Sequence, residues 1–139
     1  MNAWKAIVVA AGSALTLAAC GGGAGGNAGG GGGGGGDTGC TIKGTGAGTP
    51  TFTSNIVADP NTVGRFSPNN MTVKVGQSIQ WVWQDPNVQH TVTSDDTTTF
   101  DSCLQSQGYK FIVTFNTAGK IPYHCTIHPL MVGSVTVTQ

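Results

Sequence analysis

The sequence has little charge, few histidines and no apolar run long enough to cross a membrane. Charged residues make up 9% of the chain and the formal net charge is zero. We therefore expect no nucleic-acid partner, which would require a basic surface. The apolar or small residues of the N-terminal stretch from Ala6 to Ala19 number 14, whereas a transmembrane helix needs about 20. From Cys40 onward no window repeats its apolar residues at a helical period, which argues against a helical domain.

The composition from Cys40 onward is instead typical of β-strands. Thr, Val, Ile and aromatic residues alternate there with short groups of Gly, Pro, Asn and Asp. Ser78 to Trp83 places three apolar side chains on one face, and Tyr109 to Phe115 places four. These stripes predict an all-β, two-sheet sandwich around one core, for which about 100 residues suffice. The predicted strands are 50–57, 63–67, 70–75, 78–83, 88–93, 109–115, 120–125 and 133–138.

The N-terminal segment predicts export. In residues 1–19, Lys5 precedes a short apolar core, which is typical of a signal peptide. The segment ends in LAAC, residues 17–20, which resembles a bacterial lipobox; the resemblance implies cleavage before Cys20 and lipid on Cys20, hence a membrane anchor. The alternative is an ordinary cleavage site with Cys20 left free.

A low-complexity segment follows. Residues 21–39 contain 14 glycines in 19 positions, and such a composition predicts a flexible tether. The expected organisation is a lipoprotein signal peptide at 1–19, a lipidated Cys20 and tether at 20–39, and a globular domain at 40–139. We expect that domain in the periplasm or at the extracytoplasmic surface of a bacterial membrane.

The stretch from Ile121 to Val137 carries three metal-binding residue types at equal spacing. Cys125, His128 and Met131 follow one another at intervals of three. Pro129 disfavours a helix at this point, so we expect a short loop between two strands that turns the three side chains toward one point. His90 is the one histidine outside this stretch.

One cysteine, two histidines and a methionine suit a blue copper site, whereas zinc prefers a stronger fourth ligand than a thioether. Taken singly, Cys125 could instead be half of a disulfide, His128 a polar loop residue and Met131 a core filler. The combination of all three with His90 favours a metal site.

This pattern resembles the cupredoxin (plastocyanin/azurin-like) family. The family motif appears as Cys125-x2-His128-x2-Met131 after an aromatic strand, with His90 upstream, and the two-residue gap before the methionine is most similar to the amicyanin type. The stretch from Val75 to Asp96 also resembles the family sequence around the first histidine ligand.

The resemblance, over roughly residues 50–139, implies a Greek-key sandwich of about eight strands with one type 1 copper bound by His90, Cys125, His128 and Met131. It implies a monomeric electron carrier, not an enzyme, that docks a redox partner protein near His128, Pro129 and Leu130. A copper-binding or copper-delivery module with the same ligands is the alternative. A hydrolase using Cys125 and His128 would need an orienting group and oxyanion donors that nothing nearby supplies.

Two positions near the ligands need separate interpretation. His124 directly precedes the ligand cysteine, which resembles the histidine that links two copper centres in copper nitrite reductases. A second copper centre would need further histidines, and this chain has three in all. Strand alternation turns His124 away from Cys125, toward solvent. Thr91 stands where the family often has Asn, and we expect its hydroxyl to make one bond to the ligand loop instead of two.

The remaining cysteines are expected to pair. With Cys20 assigned to lipid and Cys125 to metal, Cys40 and Cys103 are left as disulfide partners in an oxidising compartment. Two free thiols, or a bond between Cys103 and Cys125 in the absence of metal, are the alternatives.

Overall fold

Eight β-strands in two sheets make up the part of the chain that the structure describes, residues 39–139. This structure is a computed structural model. The predicted signal peptide, the lipidated Cys20 and nearly all of the tether lie outside the described residues. The strands are β1 (Phe52–Asp59), β2 (Val63–Ser67), β3 (Asn70–Lys74), β4 (Ser78–Trp83), β5 (Thr93–Ser94), β6 (Lys110–Thr114), β7 (Gly119–Cys125) and β8 (His128–Thr138).

Each sheet has four strands and mixes parallel with antiparallel pairs. The first has the order β2-β1-β4-β6, in which β1 runs parallel to β4 and antiparallel to β2. The second has the order β3-β8-β7-β5, in which β3 and β8 are parallel. Neighbours in each sheet are therefore often distant in sequence, as in a sandwich whose chain crosses between layers. The predicted all-β, two-sheet fold is confirmed.

The core lies between the two sheets and is rich in aromatic residues. The predicted alternation on β4 is confirmed, because Ile79, Trp81 and Trp83 are buried while Gln80 and Val82 are partly exposed. The Trp81 ring lies 5.5 Å, centroid to centroid, from the rings of Phe100 and Tyr123. Such aromatic packing stabilises the fold and fixes the ends of the strands from which the site residues project.

The predicted strand at 88–93 is wrong. A turn lies directly before it, where Asp85 Oδ1 accepts hydrogen bonds from the N–H groups of Asn87 (2.9 Å) and Val88 (3.2 Å). His90 then exchanges backbone hydrogen bonds with Gln105 alone, as an isolated bridge. Regular pairing is limited to the two residues of β5. At the start of the predicted strand, the carboxylate of Asp85 competes with strand pairing, because it accepts hydrogen bonds from the N–H groups of Asn87 and Val88.

The last strand begins five residues earlier than the predicted start at 133. Only Thr126 and Ile127 separate β7 from β8, and Cys125 pairs with His128 across this turn. The pairs His124↔Val132 and Cys125↔His128 are one position apart on β7 but four apart on β8 (132 − 128 = 4). The extra residues Pro129 to Met131 therefore form a bulge, a feature compatible with a proline that lacks a backbone donor.

A disulfide joins Cys40 to Cys103 over a sequence separation of 63, with the two Cα atoms 5.8 Å apart. Cys125 remains a free, buried thiol. In the chain-entropy description, closing a loop of this length stabilises the fold by about 4 kcal/mol.

Within residues 39–139, no helix has the length and apolar character needed to span a bilayer.

Candidate metal centre

Three of the predicted ligand side chains converge at one end of the sandwich. His90 Nδ1 lies 3.1 Å from His128 Nδ1, and Cys125 Sγ lies 3.4 Å from His128 Nδ1 and 4.0 Å from His90 Nδ1. His90 and Cys125 are fully buried, whereas His128 is partly exposed. Two imidazole nitrogens and one sulfur therefore face a common point, with one imidazole reaching the surface.

Met131 lies in the bulge of β8, three residues after His128. Its side chain is buried in the hydrophobic core cluster, while its neighbours Leu130 and Val132 are 72% and 55% exposed. The bulge thus directs the thioether inward and leaves two apolar side chains at the surface beside His128.

His90 is held on several sides. Its Nε2 lies 3.0 Å from Asp85 Oδ2, and its backbone carbonyl accepts a hydrogen bond of 2.9 Å from Trp83 Nε1. On β2 the backbone of Gly64 lies against the ring: a Cβ added there would lie 2.2 Å from His90 Cε1. With Nε2 turned toward Asp85, Nδ1 is the nitrogen that faces Cys125 and His128. No sequence pattern singled out Asp85 or Gly64.

Thr91 connects the segment that carries His90 to the turn that follows Cys125. Its N–H donates to Cys125 Sγ at 3.3 Å. Its hydroxyl accepts from the N–H of Thr126 at 2.8 Å and donates to the Thr126 hydroxyl at 3.2 Å. The expectation of a single bond from this hydroxyl is therefore wrong, because a hydroxyl can accept and donate at once.

The electrostatics favour an ionised cysteine. Burial would raise the pKa of the Cys125 thiol, but hydrogen bonds from His90 and from the N–H groups of Thr91 and Ile127 outweigh burial and lower it. The thiolate is the form of cysteine that binds metals. Burial, followed by the charge on His90, lowers the pKa of His128 and favours its neutral, metal-binding form.

The pKa of Asp85 is also lowered. Burial would raise it, but hydrogen bonds from the N–H groups of Asn87 and Val88 and from His90 outweigh this effect. Burial would lower the pKa of His90, yet contacts with Cys125 and Asp85 raise it. Two negative groups therefore lie on opposite sides of the His90 ring.

The donor set fits copper. The nitrogens of His90 and His128 and the sulfur of Cys125 lie within 4.8 Å of one another, and two imidazoles with one thiolate are the equatorial set of blue copper sites. In the described part of the chain, the other grouping of metal-binding residue types is Cys40, Asp101 and Cys103, whose two sulfurs form the disulfide.

His124 lies outside this centre. Its Nδ1 is 2.7 Å from Asp95 Oδ1, and the two side chains are 34% and 51% exposed. It thus faces away from the adjacent, buried Cys125, as strand alternation predicts.

Residues 53–138 match the family described as copper binding proteins, plastocyanin/azurin family. The chain belongs to this family. The predicted membership and the predicted cofactor, one copper ion, are confirmed. Amicyanin of Paracoccus versutus is 30% identical over an alignment of 98 residues, which covers 63% of this chain and 72% of that protein.

Two solved structures share the sandwich fold. A purple cupredoxin from Nitrosopumilus maritimus is 29% identical with a TM-score of 0.52, over 61% of this chain and 99% of that one. The copper-containing nitrite reductase of Thermus scotoductus is 23% identical with a TM-score of 0.51, over 61% of this chain and 22% of the reductase. At that identity the second likeness concerns the fold alone.

Proposed function

We propose that this cupredoxin is a type 1 copper electron-transfer protein and not an enzyme, in which His90, Cys125 and His128 would be the strong ligands and Met131 a weak fourth ligand. The observation that carries the proposal is the convergence of three ligand atoms within 4.8 Å. Copper would supply a one-electron couple, accepting an electron from a reduced partner and passing it to an oxidised one. Ligands that are already in place reorganise little when the charge changes.

Each ligand has a distinct task in this proposal. Cys125 supplies the thiolate, which the N–H groups of Thr91 and Ile127 stabilise. His90 is anchored in the core by Asp85 and shielded from water. His128 is partly exposed and offers the electron a route to the surface.

The surface around His128 suits a brief encounter with a redox partner. Ile127, Leu130 and Val132 are large apolar side chains that are at least half exposed, and with Pro129 they are the uncharged neighbours of His128 in the chain. With 9% charged residues in the chain, the encounter would be weakly steered, as is common for small redox interfaces. The domain would act as a monomer.

We also propose that lipid on Cys20 and the tether at 20–39 hold the domain, residues 40–139, at the extracytoplasmic side of a bacterial membrane. Only the sequence supports this part. Intact-mass analysis of the full-length protein expressed in a bacterial host tests it: a diacylglyceryl adduct on an N-terminal Cys20 is expected. Cys20→Ser should release the protein from the membrane fraction, and an unmodified Cys20 in the mature chain would refute the anchor.

The copper function is tested by absorption spectroscopy and voltammetry. Added Cu(II) should give an intense visible band from the thiolate, which Cys125→Ser removes while the sandwich stays folded. Tightly bound Cu(II) with no such band would refute the type 1 site. A reversible one-electron wave separates the electron carrier from a copper-delivery module, which would bind copper without fast, reversible redox.

A further inference from the structure

The carboxylate of Asp85 is fully buried, and its partner is a histidine instead of a Lys or Arg. Its side chain and that of His90 are both 0% exposed. Among the described residues its salt-bridge partner is His90 alone, with no Lys or Arg within 4.0 Å. A buried carboxylate is costly unless it is paired or fully hydrogen-bonded. The hydrogen bonds of Asp85 therefore keep a negative charge next to Nε2 of His90, on the side of the ring away from Cys125 and His128.

The two oxygens of Asp85 have separate partners. Oδ1 accepts from the N–H groups of Asn87 and Val88, which fixes the carboxylate at the start of the turn. Oδ2 is left to face His90 Nε2 at 3.0 Å. An ionised carboxylate can only accept hydrogen bonds, so this contact requires a proton on His90 Nε2. When the ring is neutral, Nδ1, the atom that faces Cys125 and His128, then carries the lone pair that can bind a metal.

We propose that Asp85 is a positioning residue that fixes the tautomer of His90 and, by its charge, lowers the reduction potential of the copper site. The inference rests on the copper function proposed above. Asp85 and the Cys125 thiolate together supply two negative charges, which match a Cu(II) ion and leave one unmatched against Cu(I). The carboxylate therefore stabilises the oxidised state, and its hydrogen bond makes the imidazole a stronger donor.

The first test replaces the charge and keeps the shape. Mature copper-loaded wild type and Asp85→Asn are titrated against redox mediators at neutral pH. At a fixed ambient potential, Asp85→Asn should raise the ratio of reduced to oxidised protein at least about tenfold, which is 59 mV for one electron. A ratio within about twofold of wild type, in a folded variant that binds copper, would overturn the proposal.

The chain offers a matched control. Asp95 makes the same kind of contact with His124, at 2.7 Å, but on the exposed surface, where solvent and salt screen its charge. Asp95→Asn should leave the ratio within about twofold of wild type. An equal shift in both variants would mean that overall charge, and not the contact with His90, sets the potential.

The second test needs neither copper nor a variant, so it tests the proposed tautomer of His90 even if Asp85→Asn does not fold. Imidazole ¹⁵N NMR of the metal-free wild type, at a pH where the ring is neutral, should show His90 protonated on Nε2. Protonation on Nδ1 would overturn the proposal.

The two hypotheses can fail separately. Wild type that binds Cu(II) without the thiolate band contradicts the type 1 function. A normal thiolate band in wild type, together with an unchanged reduction potential in Asp85→Asn, contradicts only the role of Asp85.

Discussion

Gly64→Ala should damage the copper site through a single methyl group. The added Cβ would lie 2.2 Å from His90 Cε1 and 2.9 Å from its Nε2, whereas ordinary contacts begin at 3.4 Å. The ring and the β2 backbone must therefore separate by about 1.2 Å (3.4 − 2.2). Because the hydrogen bond from His90 to Asp85 is 3.0 Å long, a shift of this size can break it.

The magnitude follows from two costs. Overpacking a tight core costs about 1–3 kcal/mol, and a buried polar group that loses its partner costs about 1–3 kcal/mol. We expect the free energy of unfolding of the metal-free protein to fall by the sum of these costs, about 2–6 kcal/mol, measured by urea titration. The affinity for Cu(II) should fall at least tenfold, which corresponds to about 1.4 kcal/mol, with a changed thiolate absorption band.

Gly46→Ala is the matched control for this experiment. Its Cβ would lie 2.6 Å from Thr114 Oγ1 and 2.8 Å from Thr114 N, so it creates a clash against β6 and not against a proposed ligand. It should lower stability while leaving the copper spectrum unchanged. A folded Gly64→Ala protein with the wild-type spectrum and copper affinity would refute both the packing described for His90 and its assignment as a ligand.

Three further predictions concern individual side chains. His90→Ala and His128→Ala should both lose the blue colour. Imidazole added to the solution should restore it only in the His128 variant, because the His128 ring reaches the surface whereas His90 is buried. Equal rescue of both variants would contradict this difference in exposure. Met131→Gln should lower the potential, since oxygen favours Cu(II), and Met131→Leu should raise it; unchanged voltammetry in both would make Met131 a core residue only. Non-reducing peptide mapping of mature protein should find Cys40 joined to Cys103, and free thiols at both would argue against the disulfide.

The features that the sequence predicted well depend on short-range patterns. The burial of alternate residues on β4 follows from a period of two along one strand. Cys125, His128 and Met131 lie within seven consecutive positions, so one turn and one bulge bring them to the same end of the sandwich. His90 was found because histidines are scarce in this chain, not because a local pattern placed it.

The features that the sequence analysis missed depend on contacts between distant elements or on hydrogen bonds from a side chain to the backbone of a turn. Gly64 matters only because β2 lies against His90, which no local pattern reveals. Asp85 is five residues from His90, and its role depends on the turn that its own Oδ1 stabilises. That turn also binds the N–H group of Val88, the first residue of the strand predicted at 88–93.

The loss of that strand changes how the site is held. A residue within a sheet is fixed by bonds to two neighbouring strands, but the backbone of His90 is paired only with Gln105. The orientation of its ring must therefore come from side-chain and packing contacts, namely Asp85 on Nε2, Gly64 on the ring and the Trp83 indole on the carbonyl. Cys125, by contrast, ends a seven-residue strand paired with the longest strand of its sheet. A change such as Asp85→Asn, which removes the charge and keeps the shape, should consequently alter copper chemistry more than fold stability, whereas core changes along β7 should alter both together.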